Sequence, residues 1–218
     1  MKYSYEIKPI NEFTYSLKIH GHNSSILYQT IYKMLKNAYY DNETDSIFFS
    51  AENVITFKQC LLKNREHIME LKQCIKMIDD IIKQISYLKS MNYGFYGFSI
   101  NDILVVDGLF LFCNTQYLVP LQNENFIFIE PISTPYFSSP EIFKLRTLPS
   151  EINYKCCYYS LGLLVVFCLL NNYLLVGNEL KTTEEIENIL NPLFNTKIYW
   201  FIKRCIVPDI NKRILLLI

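Results

Sequence analysis

Tyr159-Ser160-Leu161-Gly162-Leu163-Leu164-Val165-Val166-Phe167-Cys168-Leu169-Leu170 is the stretch on which the fold turns. From Leu161 to Leu170 it offers no polar face. Asn171-Asn172 interrupts it before Tyr173-Leu174-Leu175-Val176. A membrane-spanning helix needs about 20 apolar residues in succession, and this run is shorter. A helix that is apolar all round but too short to span must be surrounded by protein. The plainer expectation is therefore a buried core helix; a membrane or virion structural protein using residues 161–176 is the competing one.

The rest of the composition agrees with a packed chain. Its 218 residues allow one good-sized core or two small parts sharing a cleft. Half are hydrophobic, with 17 Tyr and 15 Phe, which argues against long disorder. Lys plus Arg and Asp plus Glu both total 21, so no global field favours nucleic acid. Seven cysteines, two adjacent at Cys156-Cys157, fit neither zinc-ribbon nor disulfide spacing. Reduced thiols in an intracellular, cytoplasmic protein are expected. Met1-Lys2-Tyr3-Ser4-Tyr5-Glu6 has no apolar core and does not read as a signal peptide.

Working outward, Tyr3 to Ile19 alternates like strands around a Pro9-Ile10-Asn11-Glu12 turn. Ser24-Ser25 starts a helix, and Ser46-Ile47-Phe48-Phe49-Ser50 reads as a strand. Thr56 to Ser90 reads as helix with a break near Asn64, and Gly94 is the expected left-handed stop. Ile103–Val106 and Leu109–Phe112 flank Asp107-Gly108, the turn of a tight hairpin. Cys113 to Ser139, with three prolines, predicts a long loop. Helices are predicted over Tyr158–Leu175, Glu184–Leu190 and Thr196–Ile206.

Four short motifs in this order carry a family resemblance. Tyr87-Leu88-Lys89-Ser90 resembles the tyrosine-leucine-histidine-serine preceding the catalytic loop of protein kinases. Ser139-Pro140-Glu141 resembles the alanine-proline-glutamate that closes the activation segment, and Tyr159-Ser160-Leu161-Gly162 the tryptophan-serine-leucine-glycine opening the central helix. Cys205 to Arg213 resembles cysteine-leucine-x-x-aspartate-proline-x-x-arginine, with Ile210 for the proline. The match runs from about residue 46 to the end. It implies an α+β kinase-like domain over 1–218, with a reduced N-terminal lobe (1–50) and a mainly helical C-terminal lobe (51–218). It also implies an ion pair between Glu141 and Arg213, since an arginine fork binds a carboxylate at two points. Richness in Ile, Asn, Lys and Tyr, with the short length, suggests a large DNA virus of eukaryotes as the source and the host cytoplasm as the compartment.

The same resemblance shows what chemistry lacks. Kinase catalysis is positioning plus charge stabilisation by a lysine, metal ligands and an aspartate base. The base position falls on Gly97, which has no side chain to take a proton. The metal-binding asparagine falls on Asp102, where a surface or capping aspartate is the plainer reading. The metal-binding aspartate falls on Asn114, uncharged and a weaker ligand. Lys18 in Tyr15-Ser16-Leu17-Lys18-Ile19 is the candidate ATP lysine, against the plainer alternative of an exposed strand lysine. No acid lies between Ile19 and Tyr40 to hold it, and no glycine-rich loop covers a phosphate. His20 and His22 would share a strand face, yet two histidines do not make a metal site. Tyr117, Ser133, Thr134, Tyr136 and Ser138 offer hydroxyls along the activation-segment equivalent.

The resemblance therefore implies a pseudokinase: a catalytically inactive regulatory or interaction module with a protein partner, no nucleic acid, no membrane, no metal and no cofactor. A divergent active Ser/Thr kinase, using ATP and magnesium through Lys18 and Asp102, is the alternative. The apolar end, Ile214-Leu215-Leu216-Leu217-Ile218, is expected to pack in a groove or against a partner.

Overall fold

The computed structural model describes residues 4–176 and 179–216. It begins with an antiparallel hairpin, β1 (Tyr5–Pro9) and β2 (Thr14–Ile19), with Tyr5 opposite Ile19. Helix α1 (Ser24–Met34) follows, then β3 (Tyr39–Asp41) and β4 (Ser46–Ser50), giving a sheet of order β1-β2-β4-β3. Alternation along the strands turns Leu17, Ile19, Ile47 and Phe49 inward. Leu27, Tyr28 and Ile31 of α1 join the same buried cluster.

The next elements are β5 (Val54–Thr56), α2 (Phe57–Lys63) and α3 (Leu71–Ser90). Thr56 and Gln59 form a reciprocal capping box that starts α2. The break near Asn64 is real: Asn64 is extended, and Glu66 and His67 have φ of 58° and 59°. The buried face of α3 is Ile78, Ile81, Ile82, Ile85 and Leu88. Its left-handed stop is Asn92 (φ 57°), not Gly94 as expected. Gly94 serves instead in β6 (Tyr93–Phe95), where a Cβ would lie 3.0 Å from Phe126 Cζ.

After β7 (Gly97–Phe98) comes the hairpin of β8 (Ile103–Val106) and β9 (Leu109–Phe112). Asp107 (φ 48°) and Gly108 (φ 78°) both take the positive φ of a type I′ turn. Residues 113–139 are not one long loop. They contain β10 (Leu118–Gln122), β11 (Asn125–Phe128) and β12 (Phe137–Ser138). The prolines concealed them: Pro120 stands in the β10 ladder opposite Tyr93, and the strands are short. With β6 and with β13 (Ser150–Asn153), which follows α4 (Pro140–Phe143), β10 and β11 make a sheet of order β13-β11-β10-β6, while β12 pairs with β7.

The stretch quoted first becomes α5 (Cys156–Leu170), buried at every position from Tyr159 to Leu169. It ends at Leu170 rather than Leu175, because Asn171 (φ 46°) caps it and Leu175–Val176 is extended. Among the described residues no helix is long and apolar enough to cross a membrane. Around α5 pack α3, β7, β12 and, after α6 (Thr183–Leu190), α7 (Lys197–Cys205). Gly162 permits a close approach of α7: a Cβ there would lie 2.9 Å from Cys205 Cβ. All seven cysteines are buried and free. One contiguous apolar cluster runs from Tyr5 to Ile206, so the N-terminal sheet and the helices share a core. At the C-terminal end Leu215 packs on that core while Ile214 and Leu216 face outward; residues 217–218 lie outside the described residues.

Candidate catalytic cleft

Two of the sequence-derived positions come together. A 3-10 turn, Ile100–Asp102, delivers Asp102 to the start of β8, and Asn114 stands just past the end of β9. Hairpin pairing fixes their separation, since the Cys113 N–H donates to the Asp102 carbonyl at 2.8 Å. Asn114 Nδ2 donates to Asp102 Oδ2 at 2.8 Å, and Asn114 Oδ1 accepts from Gln116 N–H at 2.8 Å. The other carboxylate oxygen, Oδ1, accepts from Ser4 Oγ at 2.6 Å. Asp102 is thus buried, contrary to the surface reading. Burial raises its pKa, against the opposing pull of the Ser4 and Asn114 hydrogen bonds.

The N-terminal sheet closes on this point. Thr115 Oγ1 donates to the His20 carbonyl at 2.6 Å, and Gly21 follows at φ 104°. A Cβ on Gly21 would fall 2.4 Å from that Thr115 oxygen, so only glycine allows the contact. Tyr5, buried beside Asp102 and Cys113, has its phenol pKa driven far up by burial first and by those groups second.

Gly97 lies against the returning chain. In β7 it faces Ser138 of β12, and a Cβ would lie 2.6 Å from Pro135 Cγ and 2.8 Å from the Phe137 carbonyl oxygen. No side chain fits there without moving backbone. The preceding residue, Tyr96, is buried and sends its hydroxyl to the carbonyls of Gln116 (3.2 Å) and Ser133 (3.1 Å). Burial pushes that phenol up to about 12, so it remains a donor. Of the hydroxyls along this segment, Ser138 is buried and bonded to the Pro135 carbonyl, while Ser133, Thr134 and Tyr136 are exposed.

Lys18 does not join this group. Buried Leu17 and Ile19 face the core, and Lys18 projects the other way, with Nζ 3.3 Å from the Thr44 carbonyl. His20 Nε2 sits 3.2 Å from Glu6 Oε1 rather than converging with His22 on a metal. Among the described residues no group of three or more His, Cys, Asp or Glu is placed to hold a metal ion. Of the groups magnesium would need, the one buried carboxylate accepts a hydrogen bond on each oxygen, and the amide beside it presents N–H to that carboxylate.

Arg213 and Glu141 meet at the far end of the segment. Arg213 is fully buried and forks onto Glu141, Nη1 to Oε2 at 3.0 Å and Nη2 to Oε1 at 2.6 Å. Its Nε donates to the Val207 carbonyl at 2.9 Å and Nη2 to that of Pro208 at 3.2 Å. The guanidinium carbon also lies 4.8 Å from the Tyr159 ring centroid. Burial alone would raise the Glu141 carboxyl; the bonds and charge of Arg213 outweigh it and hold its pKa below the ordinary value.

Two positioning residues escaped the sequence reading. Asp80 and Gln84, one turn apart on α3, bond the backbone edge of β9. Asp80 Oδ2 accepts from Phe110 N–H at 3.0 Å. Gln84 serves both groups of Phe112, at 2.9 and 2.8 Å. Their signal was available: polar residues at i and i+4 inside an apolar stripe.

No protein-family model and no curated protein sequence matches the chain. Its structure is similar to the autoinhibited serine kinase domain of the giant muscle protein titin, with a TM-score of 0.55 at 12% identity, covering 97% of this chain and 77% of that one. The likeness, together with a mixed α+β architecture of seven helices and antiparallel sheets among the described residues, shows a protein-kinase-like fold.

Proposed function

We propose that the chain is a pseudokinase, a kinase-like domain that engages a protein partner and transfers no phosphoryl group. The observation that carries this reading is Gly97. A base needs a side chain beside the substrate hydroxyl. At Gly97 even a Cβ would meet Pro135 and the Phe137 carbonyl within 3 Å. The loss is thus supported by the shape of the surrounding chain as well as by the missing carboxylate. Asp102 gives further support, because both its oxygens are used to tie Ser4 and Asn114 together. The host cytoplasm of a large DNA virus remains the proposed setting, in keeping with free thiols and equal numbers of acidic and basic residues.

The test uses the purified chain with magnesium, ATP and a generic protein substrate. The expected outcome is transfer no faster than the background without protein. Transfer that Asp102→Asn abolishes would overturn the reading in favour of a divergent active kinase. Thermal denaturation with millimolar nucleotide is the companion measurement. A ligand at one hundred times its dissociation constant adds about 2.7 kcal/mol, and no such shift is expected.

A further inference from the structure

A groove of about 410 Å³ runs between α1 and β3, lined by Ser25, Tyr28, Gln29 and Tyr32 on one side and by Tyr39 and Tyr40 on the other. Neighbouring strand residues point to opposite faces. Tyr39 stacks on Phe48 with centroids 5.2 Å apart, and Tyr40 packs on Tyr28 at 5.2 Å. For both to line one groove, the groove must follow the edge of β3. That edge is open: among the described residues β3 pairs only with β4.

We propose that this groove takes up an extended, arginine- or lysine-bearing segment of a partner protein, laid along β3. The proposal rests on the interaction-module reading and names its surface. An unpaired strand edge offers a row of N–H and C=O groups to a segment in extended conformation. Three exposed tyrosines, Tyr32 (50%), Tyr39 (58%) and Tyr40 (41%), give stiff contact area at low entropic cost. Their ring faces attract a guanidinium or ammonium group.

Charge complementarity selects the occupant. Asp41 ends β3, the turn after it carries Glu43 and Asp45, and Asp45 Oδ1 accepts the Tyr40 hydroxyl at the groove itself. Lys18, on the Thr44 carbonyl, and exposed Lys36, in the connection from α1 to β3, are the cations set against these three acids, which still outnumber them by one. Lys33 does not enter the groove, since its Nζ sits over the Tyr87 ring at 5.4 Å. The remaining negative rim favours a cationic segment and repels the phosphates of nucleic acid or an anionic membrane.

A random-peptide display library, selected on the full chain, tests the proposal. The enriched peptides should carry arginine or lysine. The Tyr32→Ser/Tyr39→Ser variant should bind them about tenfold more weakly or worse. Glu43→Gln/Asp45→Asn, which leaves the aromatic packing alone, should weaken them and reduce their salt dependence. Thermal melts matching the parent show that the variants fold. Acidic or neutral winners, or equal binding to both variants, would overturn the proposal. So would an empty selection, self-association that the tyrosine variant abolishes, or capture by anionic vesicles. Phosphoryl transfer is assayed separately, so an active enzyme would sink the pseudokinase reading without touching this surface, and the reverse.

Discussion

Replacing Arg213 by Met is the sharpest test of how the fold is held. Methionine keeps most of the volume and removes the fork. Three consequences follow at once. Glu141, whose side chain is only 25% exposed, keeps a carboxylate with no cation. The carbonyls of Val207 and Pro208 lose their donors. The Tyr159 ring loses the guanidinium on its face. Removing one partner of a buried pair costs about 3–5 kcal/mol, against a total stability of roughly 5–15 kcal/mol. At about 2–4 °C per kcal/mol for a chain of this size, the midpoint of thermal unfolding should fall by roughly 10 °C. Arg213→Lys should lie between the two, since an ammonium keeps the charge but cannot bond both carboxylate oxygens in plane.

The pH dependence gives a second arm. In the parent the folded pKa of Glu141 lies below its unfolded value of 4.5. The pair therefore contributes fully above pH 4.5, and that contribution is lost as pH falls through the folded pKa. In Arg213→Met burial, the largest influence on the carboxyl, loses its main opponent and shifts the pKa upward from the parent's, so acid relieves the variant. The gap between the two proteins should be widest near neutrality and narrow as pH falls through the folded pKa of Glu141, leaving the pH-independent loss of the Val207, Pro208 and Tyr159 contacts. Urea unfolding at several pH values measures it. A loss under about 1 kcal/mol at neutral pH, or a gap that does not shrink with acid, would refute this account.

The other predictions concern the cleft and its supports. Gly97→Ala should destabilise by about 1–3 kcal/mol from overpacking against Pro135 and Phe137, and Gly97→Asp by more without gaining phosphoryl transfer; denaturation and a transfer assay check both. Gln84→Leu leaves both backbone groups of Phe112 unbonded, and a loss of roughly 2–4 kcal/mol is expected, read by urea unfolding and by faster amide exchange in β9. Asp102→Asn removes a carboxyl whose pKa is raised. Because folding disfavours its ionised form, the parent gains stability as pH falls through the folded pKa, and the variant should lose that gain.

The helical half was legible because one signal governs it. A run apolar on all sides and too short to span a membrane must be buried in protein, and α5 is. The periodicity of α3 and the Asp107-Gly108 turn were equally local. Glu141 and Arg213, which the resemblance paired across 72 positions, do form a fork. What escaped was non-local. Residues 113–139 read as loop because each strand there is short and is stabilised by a distant partner, Tyr93–Phe95 or Ser150–Asn153. Asp102 read as a surface residue because nothing nearby reveals that Ser4 reaches it across 98 positions. Gly97 was recognised as a gap in the chemistry, while the reason no side chain could return, Pro135, lies 38 positions downstream.

These contacts bear on one segment. The chain between Asn114 and Glu141 is anchored at its start by Asp102, in its middle by Tyr96 and at its end by Arg213. That anchoring presses Pro135 onto Gly97. Stability and the closed state of the cleft are consequently one property. Clearing space at Gly97 means shifting Pro135 and Phe137, which unpairs β7 from β12 and strains the Tyr96 bond to Ser133. Buried hydrogen bonds and a two-residue strand pair would be lost together. A partner that acts through this protein therefore has more to gain from its exposed tyrosine edge, where binding disturbs none of these contacts, than from reopening the cleft.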